Sequence, residues 1–162
     1  MELFSGFPSV TYNGQKIKNI TVRLNFIKRI VGNASLFQYI NIRSGQRPED
    51  IANALYGDPN LYWIILCINN IVDPYYGWLL TDDQVYKFAL QKYTNINDVH
   101  HYETTSQSSL GPGIVVDENA SFSVAVSNIT YEQRENEKRR KIKILKKEFI
   151  NQVIAEYKAE LQ

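Results

Sequence analysis

The sequence predicts an α+β protein, and three observations support this class. Short alternations of apolar and polar residues, typical of strands, fill much of residues 7–48 and 97–130. Helical spacing with suitable first-turn and capping residues begins at Pro48, Asp58 and Thr81. The composition, 44% hydrophobic and 22% charged, excludes a fully disordered, collagen-like or disulfide-framework chain. A length of 162 residues predicts one compact domain, or one domain with extensions.

The first predicted segment is an extended N-terminal arm, residues 1–36. Its run KIKNITVRL alternates as a strand does, and residues 25–31 are compatible with a short strand or a helical turn. The run FQYINIRSG then predicts a strand from Phe37 to Arg43, which opens the second segment, residues 37–80.

Two short helices joined by a tight turn are predicted to follow this strand. Pro48 suits the first helical position, and Gly57 suits the left-handed residue that ends a helix. Asp58 caps the next helix, NLYWIILCINN, which is apolar nearly all round and therefore expected to be buried. The predicted interior residues of this core are Ile40, Ile42, Ile51, Leu55, Tyr56, Trp63, Ile64 and Ile68.

The third segment, residues 81–130, is predicted to contain a helix and a small antiparallel β element. Thr81 and Gln84 form a capping box that starts a helix ending near Tyr93, and two or three short strands follow. The last segment, residues 131–162, is predicted to be charged and helical. Its run KIKIL alternates like a strand, so the sequence leaves open whether it breaks the helix.

Charge is segregated along the chain although the total is only +1. Residues 1–48 hold seven basic residues and one acid, residues 49–130 hold ten acids and two basic residues, and residues 131–162 hold nine basic residues and six acids. The blocks therefore carry +6, −8 and +3. No secretory signal or bilayer-length apolar run is evident, so we expect a soluble protein made in a cytosol, with no membrane partner.

No catalytic, cofactor or metal site is predicted. The lone Cys67 lies in an apolar run, where a thiol is usually an inert core residue. His100 and His101 are adjacent in a predicted strand, so they are expected to face opposite sides and not to share a metal. Asp82 and Asp83 are explained by a helix first turn. An enzyme is therefore not expected.

Two features suggest contact surfaces. The aromatic group Tyr75, Tyr76 and Trp78 beside a turn either covers its own core or anchors a partner. The run from Lys138 to Lys147 holds seven basic residues in ten. Acids precede this run and apolar residues alternate with it, which favours a solvated or protein-docking face, so no nucleic-acid partner is expected and a nucleic-acid adaptor is the alternative.

Residues 37–70 resemble the LysM module, whose pattern is a strand, a turn and two helices. The matching positions are Tyr39, Gly45, Ile51, Ala52, Tyr56, Gly57, Trp63, Ile64 and Asn69. The flanks that form the sugar groove in glycan-binding members are replaced here by GQRPED and DPYYGWLLTDD. The resemblance makes a LysM-type peptidoglycan-binding module the alternative function, and the replaced flanks argue against it.

A longer resemblance joins the elements RPE, LYG, LYW, DPYYGW and NEKRR. Together they are similar to the small LysM-like baseplate wedge subunit of contractile-tailed bacteriophages, including the T-even phages. This resemblance implies a non-enzymatic virion protein, made in the host bacterial cytoplasm, that bridges neighbouring wedges near the tail tube and sheath during tail assembly. The implied partners are other baseplate wedge proteins and the sheath-initiator-like subunit, in a hetero-oligomer within a symmetric baseplate.

On this hypothesis, three groups of residues are predicted to contact partners through aromatic anchors and complementary charge. They are Tyr75, Tyr76 and Trp78, then Arg139, Arg140, Lys143 and Lys146, and in the arm Arg23, Lys28 and Arg29.

Overall fold

The computed structural model describes residues 3–20, 30, 32–104 and 113–161. Its helices and small antiparallel sheets confirm the α+β class. The helices are α1 (Pro48–Tyr56), α2 (Tyr62–Ile68), α3 (Asp82–Lys92), α4 (Asn128–Lys138) and α5 (Ile150–Glu160). The strands are β1 (Ser9–Tyr12), β2 (Gln15–Lys18), β3 (Phe37–Asn41), β4 (Val99–Thr104), β5 (Val115–Val116), β6 (Ser123–Ser127) and β7 (Lys141–Leu145). None of these helices is long and apolar enough to cross a lipid bilayer.

The chain divides into two compact units. Unit 1 is Met1–Trp78 together with Lys141–Gln162, and unit 2 is Leu79–Arg140. Unit 1 therefore joins residues from both ends of the chain, because β7 pairs with the distant strand β3.

Unit 1 opens with the hairpin of β1 and β2. Its two-residue turn is Asn13 and Gly14, with φ angles of 49° and 75°, the left-handed pair that a type I′ turn requires. Lys18 ties the hairpin to the preceding chain, because its Nζ donates to the carbonyl oxygens of Ser5 at 2.9 Å and Phe7 at 2.8 Å. The described part of the predicted arm thus contains a hairpin fastened at its base.

The predicted strand and helix pair are present in unit 1. Pro48 occupies the first position of α1, and the Asp50 carboxylate accepts the N–H of Arg47 at 3.1 Å. Gly57 ends the helix at a φ of 79°, a conformation that glycine adopts without steric cost. The Asp58 side chain caps the short 3₁₀ turn that leads into α2.

The run KIKIL forms β7, so the predicted charged helical segment contains a strand. β7 pairs antiparallel with β3, and Ile40 lies opposite Ile142. Ile142 and Ile144 point inward and are buried, whereas Lys141, at the start of the strand, is exposed to solvent. The predicted interior is confirmed at Ile42, Ile51, Tyr56, Trp63, Ile64 and Ile68, while Ile40 and Leu55 are only partly buried.

Asn69 connects the end of α2 to β7. Its Nδ2 donates to the carbonyl oxygens of Ile65 at 2.8 Å and Lys143 at 2.7 Å, and its Oδ1 accepts the N–H of Lys143 at 2.8 Å. One amide side chain therefore pairs with both backbone groups of a strand residue 74 positions later. Tyr56 adds a second link, because its hydroxyl donates to the carbonyl oxygen of Leu145 at 3.1 Å.

The C-terminal helix α5 closes the core of unit 1. Tyr157 is fully buried, and its ring centroid lies 5.1 Å from that of Trp63 and 6.5 Å from that of Phe7. Its hydroxyl donates to the carbonyl oxygen of Leu3. These contacts join both ends of the chain to α2.

Unit 2 consists of α3, α4 and a three-stranded antiparallel sheet with the order β5, β4, β6. Buried polar side chains hold it together. The Asn136 amide accepts the N–H of Leu80 at 2.8 Å and donates to its carbonyl oxygen at 3.0 Å. The Glu132 carboxylate accepts hydrogen bonds from Lys92 and Tyr93, both at 2.7 Å. These bonds satisfy groups that would be costly to bury alone.

A β-bulge in β4 overturns the expectation that His100 and His101 face opposite sides. Val99 lies opposite Ser127 but His101 lies opposite Val126, so two steps on β4 match one step on β6. The extra residue of the bulge interrupts the alternation of side chains between the two faces of the sheet, so that adjacent residues need not face opposite sides. The two imidazole Nδ1 atoms are consequently 2.9 Å apart.

Candidate interaction surfaces

The aromatic loop, residues 71–78 of unit 1, is held by a tight turn. The Asp73 carboxylate accepts the N–H of Tyr75 at 2.9 Å, and its carbonyl oxygen accepts the N–H of Gly77 at 2.7 Å. A Cβ atom added to Gly77 would lie only 2.5 Å from that carbonyl oxygen. The close approach explains why a residue without a side chain follows the two tyrosines.

This rigid loop presents large side chains to solvent. Val72 is 91% exposed, Tyr75 is 81% exposed and Tyr76 is 50% exposed. Tyrosines supply contact area at a low cost in side-chain entropy, and they are enriched among the residues that dominate interface energies. The loop therefore has the chemistry of a preorganised docking element.

Trp78 differs from the two tyrosines that precede it. It is only 6% exposed, and its indole N–H donates to the carbonyl oxygen of Gln46 at 2.8 Å. Its side chain is part of the core of unit 1, so the prediction that Trp78 contacts a partner is wrong. The sequence analysis had allowed that aromatics beside this turn cover their own core, and Trp78 is the one that does.

The four predicted basic contact residues lie in different units. Lys143 and Lys146 belong to unit 1, where the Lys143 Nζ lies 5.3 Å from the ring centroid of Phe37 and the Lys146 Nζ donates to the carbonyl oxygen of Ser35 at 2.7 Å. Both lysines therefore make contacts within their own unit.

Arg139 and Arg140 follow α4 in unit 2, and both are partly buried. Arg140 pairs with Glu137, one of whose oxygens lies 2.9 Å from a guanidinium nitrogen, and this hydrogen bonding holds the pKa of the Glu137 carboxyl below its usual value. The run Lys138 to Lys147 is thus divided between a helix end and a strand and does not form one continuous basic helix face.

The predicted arm contacts Arg23, Lys28 and Arg29 lie outside the described residues. The described hairpin instead exposes an apolar face that the sequence analysis did not single out. Val10 lies opposite Ile17, and they are 42% and 44% exposed. Tyr12, two residues after Val10, is 65% exposed. The alternation around Asn13 and Gly14 was the signal that could have identified this face.

Unit 2 has an open groove of about 770 Å³ beside the histidine pair. The His100 ring stacks on that of Tyr131, with centroids 3.8 Å apart and planes 9° from parallel. The buried Glu103 carboxylate pairs with Arg134 at 2.8 Å. The other two carboxylates at this groove, Glu135 and Glu137, are also in ion pairs, with Lys138 and Arg140.

The described residues contain no group of three or more His, Cys, Asp or Glu side chains placed to bind a metal ion. The thiol of Cys67 is partly buried, and this burial raises its pKa. A raised pKa keeps the thiol protonated near neutral pH and makes it a poor nucleophile.

Comparison with known sequences identifies the family. The sequence profile described as "Base plate wedge protein 53" matches residues 7–120. The chain is also 34% identical, over 147 residues, to the "Baseplate wedge protein gp53" of Enterobacteria phage T4, an alignment that covers 78% of this chain and 74% of that protein. The chain belongs to the baseplate wedge protein 53 family.

Membership of the baseplate wedge protein 53 family confirms the resemblance drawn from the motifs RPE, LYG, LYW and DPYYGW. The chain is a structural component of the baseplate wedge and a part of the virion tail. Membership of a wedge family also means that it associates with other baseplate proteins. Neither match supports the alternative of a peptidoglycan-binding module.

Proposed function

We propose that this wedge component is non-enzymatic and bridges neighbouring wedge proteins near the tail tube and sheath during assembly. Its partners on this proposal are wedge-body proteins and the sheath-initiator-like subunit, within a hetero-oligomeric, symmetric baseplate. The observation that carries the proposal is the aromatic loop, since Tyr75 and Tyr76 are presented on a turn fixed by Asp73.

Charge supports a bridging role. Unit 1 contains twelve basic and eight acidic residues, a net charge of +4, and unit 2 contains six basic and nine acidic residues, a net charge of −3. Because the two units carry net charges of opposite sign, each unit favours a partner surface of a different charge. Complementary charge increases the rate and specificity of association more than its affinity. We infer that the aromatic residues supply most of the affinity, while these charges select partner and register.

We further infer that β3, α1, α2 and β7 form a LysM-like core. The LysM pattern is a strand, two helices and a closing strand, and what supports the likeness is the antiparallel pairing of β3 with β7. Unit 2 lies between α2 and β7 in the sequence, which accounts for the replaced second flank. In an experimental structure these four elements should superpose on LysM modules. A different crossing of the two helices would contradict the inference.

The bridging proposal is tested by pairwise co-expression with each protein encoded beside it in the phage tail gene cluster, followed by size-exclusion chromatography. We expect a stable complex with at least one wedge protein. Replacing both Tyr75 and Tyr76 with Ala should weaken that complex by about 30-fold or more, since truncating one central aromatic anchor costs roughly 2 kcal/mol or more. The matched control is Tyr86→Ala, an exposed tyrosine of unit 2 that is 49% accessible.

The variant's fold is verified by its tryptophan fluorescence, because the two tryptophans of the chain both lie in unit 1. A protein that stays a free monomer with every neighbour contradicts the bridging role. A complex that survives the double substitution unchanged contradicts only the assignment of the aromatic loop.

A further inference from the structure

One end of the three-stranded sheet in unit 2 carries exposed apolar side chains. Ile114 is 76% exposed, Val115 is 67% exposed, Phe122 is 83% exposed and Val124 is 46% exposed. We call these four residues the sheet-end patch. Clustered exposed apolar residues on a soluble protein commonly mark an interaction site.

The strand register places these residues together. Glu103 in the central strand lies opposite Val115 on one side and Val124 on the other, so the two valines share one face of the sheet. In the next row, the N–H of Thr104 donates to the carbonyl oxygen of Ile114 at 2.9 Å, and Thr104 lies opposite Ser123. Phe122 directly precedes Ser123, so all four patch residues lie at the same end of the sheet, with the two valines on one face and Ile114, one residue before Val115, on the other.

Phe122 has an unfavourable backbone conformation at its position. Its φ angle is +69°, in the left-handed region that a bulky side chain rarely adopts. The turn before it is fixed, because the Ser123 hydroxyl donates to the carbonyl oxygen of Glu118 at 2.9 Å and the N–H of Ser123 donates to that of Ala120 at 3.1 Å. A glycine would fit this turn with less strain. An exposed aromatic ring held in such a conformation indicates a use for the ring itself.

The charge around the patch is mixed, but the cations nearest to it are paired, because Arg134 and Lys138, which line the groove together with Val115, form ion pairs with Glu103 and Glu135. Residues 93–133 contain five acids and no Lys or Arg. Glu103 pairs with Arg134 and Glu132 with Lys92, both cations lying outside that stretch. The acids of the turn, Asp117 and Glu118, are exposed beside the patch. Edge strands are commonly protected from pairing by lysine, and the described edges β5 and β6 have none.

We propose that the sheet-end patch docks an extended segment, with alternating basic and apolar residues, of another protein of the baseplate. An extended segment fits because β6, the five-residue edge strand that contains Val124, pairs with β4 alone among the described strands, which leaves backbone groups on its outer edge for a further strand. Apolar side chains of the segment pack on the valines and Phe122, and its basic side chains meet Asp117 and Glu118. This surface belongs to unit 2 and the aromatic loop belongs to unit 1, and the test of the patch does not depend on that loop.

The first test maps the occupant in assembled baseplates. A photo-crosslinking amino acid replaces Val124 in the full chain, tails are assembled in infected cells, and the crosslinked peptide is identified by mass spectrometry. The control position is Gln91, an exposed residue of α3. We expect position 124 to crosslink to a segment of one baseplate protein that has a net positive charge. Absence of any crosslink in assembled tails, or a crosslink to a net acidic segment or to another region of this chain, overturns the proposal.

The second test separates docking from folding. Phe122→Gly relieves the positive φ, so we expect the melting temperature to be unchanged or raised by up to about 3 °C. The same variant should reduce incorporation of the chain into baseplates at least about tenfold, as loss of an aromatic anchor does. A variant that melts much lower, or one that is stable and assembles normally, contradicts the assignment of Phe122 as a docking residue.

The charge requirement is tested by the double variant Asp117→Asn with Glu118→Gln. It keeps the shape of the turn, and we expect it to weaken the docked complex roughly 2- to 30-fold at low salt and to reduce its salt dependence. The matched control neutralises two other exposed acids, Asp83→Asn with Glu148→Gln. Equal effects of the two double variants would show that general charge, not the patch, controls the binding.

Discussion

Replacing Asn69 with Ala should destabilise unit 1 substantially, although the residue lies outside the helices and strands. Its amide is the partner of both the N–H and the carbonyl oxygen of Lys143, at 2.8 and 2.7 Å. Each such bond contributes about 1 kcal/mol net, and groups left without partners add a desolvation cost. Because Lys143 is only partly buried, water recovers some of that cost, and we expect a loss of about 2 to 3 kcal/mol.

The measurement is urea denaturation followed by tryptophan fluorescence. Both Trp63 and Trp78 lie in unit 1, so the signal reports that unit directly. With a typical urea slope, the expected loss moves the midpoint down by about 1 to 2 M. Asn69→Asp should be no better than Asn69→Ala, because a carboxylate would face the Lys143 carbonyl oxygen. The control is Asn53→Ala on the exposed side of α1. An Asn69→Ala variant within about 0.5 kcal/mol of the parent would refute this account of how β7 is held.

Two further predictions concern the loop and unit 2. Gly77→Ala should cost about 1 to 3 kcal/mol in the same assay, because its Cβ would lie 2.5 Å from the Asp73 carbonyl oxygen, and an unchanged midpoint would contradict this. Burial raises the pKa of Glu132, but hydrogen bonds from Lys92 and Tyr93 outweigh it and hold the pKa below its ordinary 4.5. The ionised Glu132 carboxylate therefore stabilises the folded state above about pH 4.5, and this stabilisation is lost as the pH falls further. The stability difference from Glu132→Gln, followed by circular dichroism, should shrink as the pH falls below about 4.5, and a constant difference would contradict the linkage.

Elements specified by neighbouring residues were predictable. The start of α1 at Pro48, its end at Gly57 and the capping box of Thr81 and Gln84 depend on residues within one or two turns, and the structure contains each of them. Family motifs within residues 37–78 likewise pointed to the baseplate wedge assignment, which the comparisons confirm.

Features that depend on distant residues were not predictable. The run KIKIL became a strand because β3, about a hundred residues earlier, offers it an edge. Trp78 can be buried because its indole N–H finds a partner in the carbonyl oxygen of Gln46, a residue 32 positions away in the sequence. His100 and His101 were misplaced because the alternation of a strand fails at a bulge, and the bulge is set by the register with β6.

Exposure on a surface was the hardest feature to predict. The patch residue Phe122 sits in a segment whose alternation fits an ordinary strand, and its positive φ arises from the turn that precedes it. Conversely, Lys143 and Lys146 belong to a strongly basic run but make contacts within unit 1. Residue type indicated which side chains suit a partner, while the tertiary structure determined which of them face outward.

The most direct test of the central claim is quantitative mass spectrometry of purified contractile tails together with an electron cryomicroscopy map of their baseplate. If the chain is a structural wedge component, it is present in a whole-number ratio to the other wedge proteins. Density for Tyr75 and Tyr76 then lies against a neighbouring baseplate protein. Absence of the chain from purified tails, or its presence far below one copy per wedge, would contradict the account.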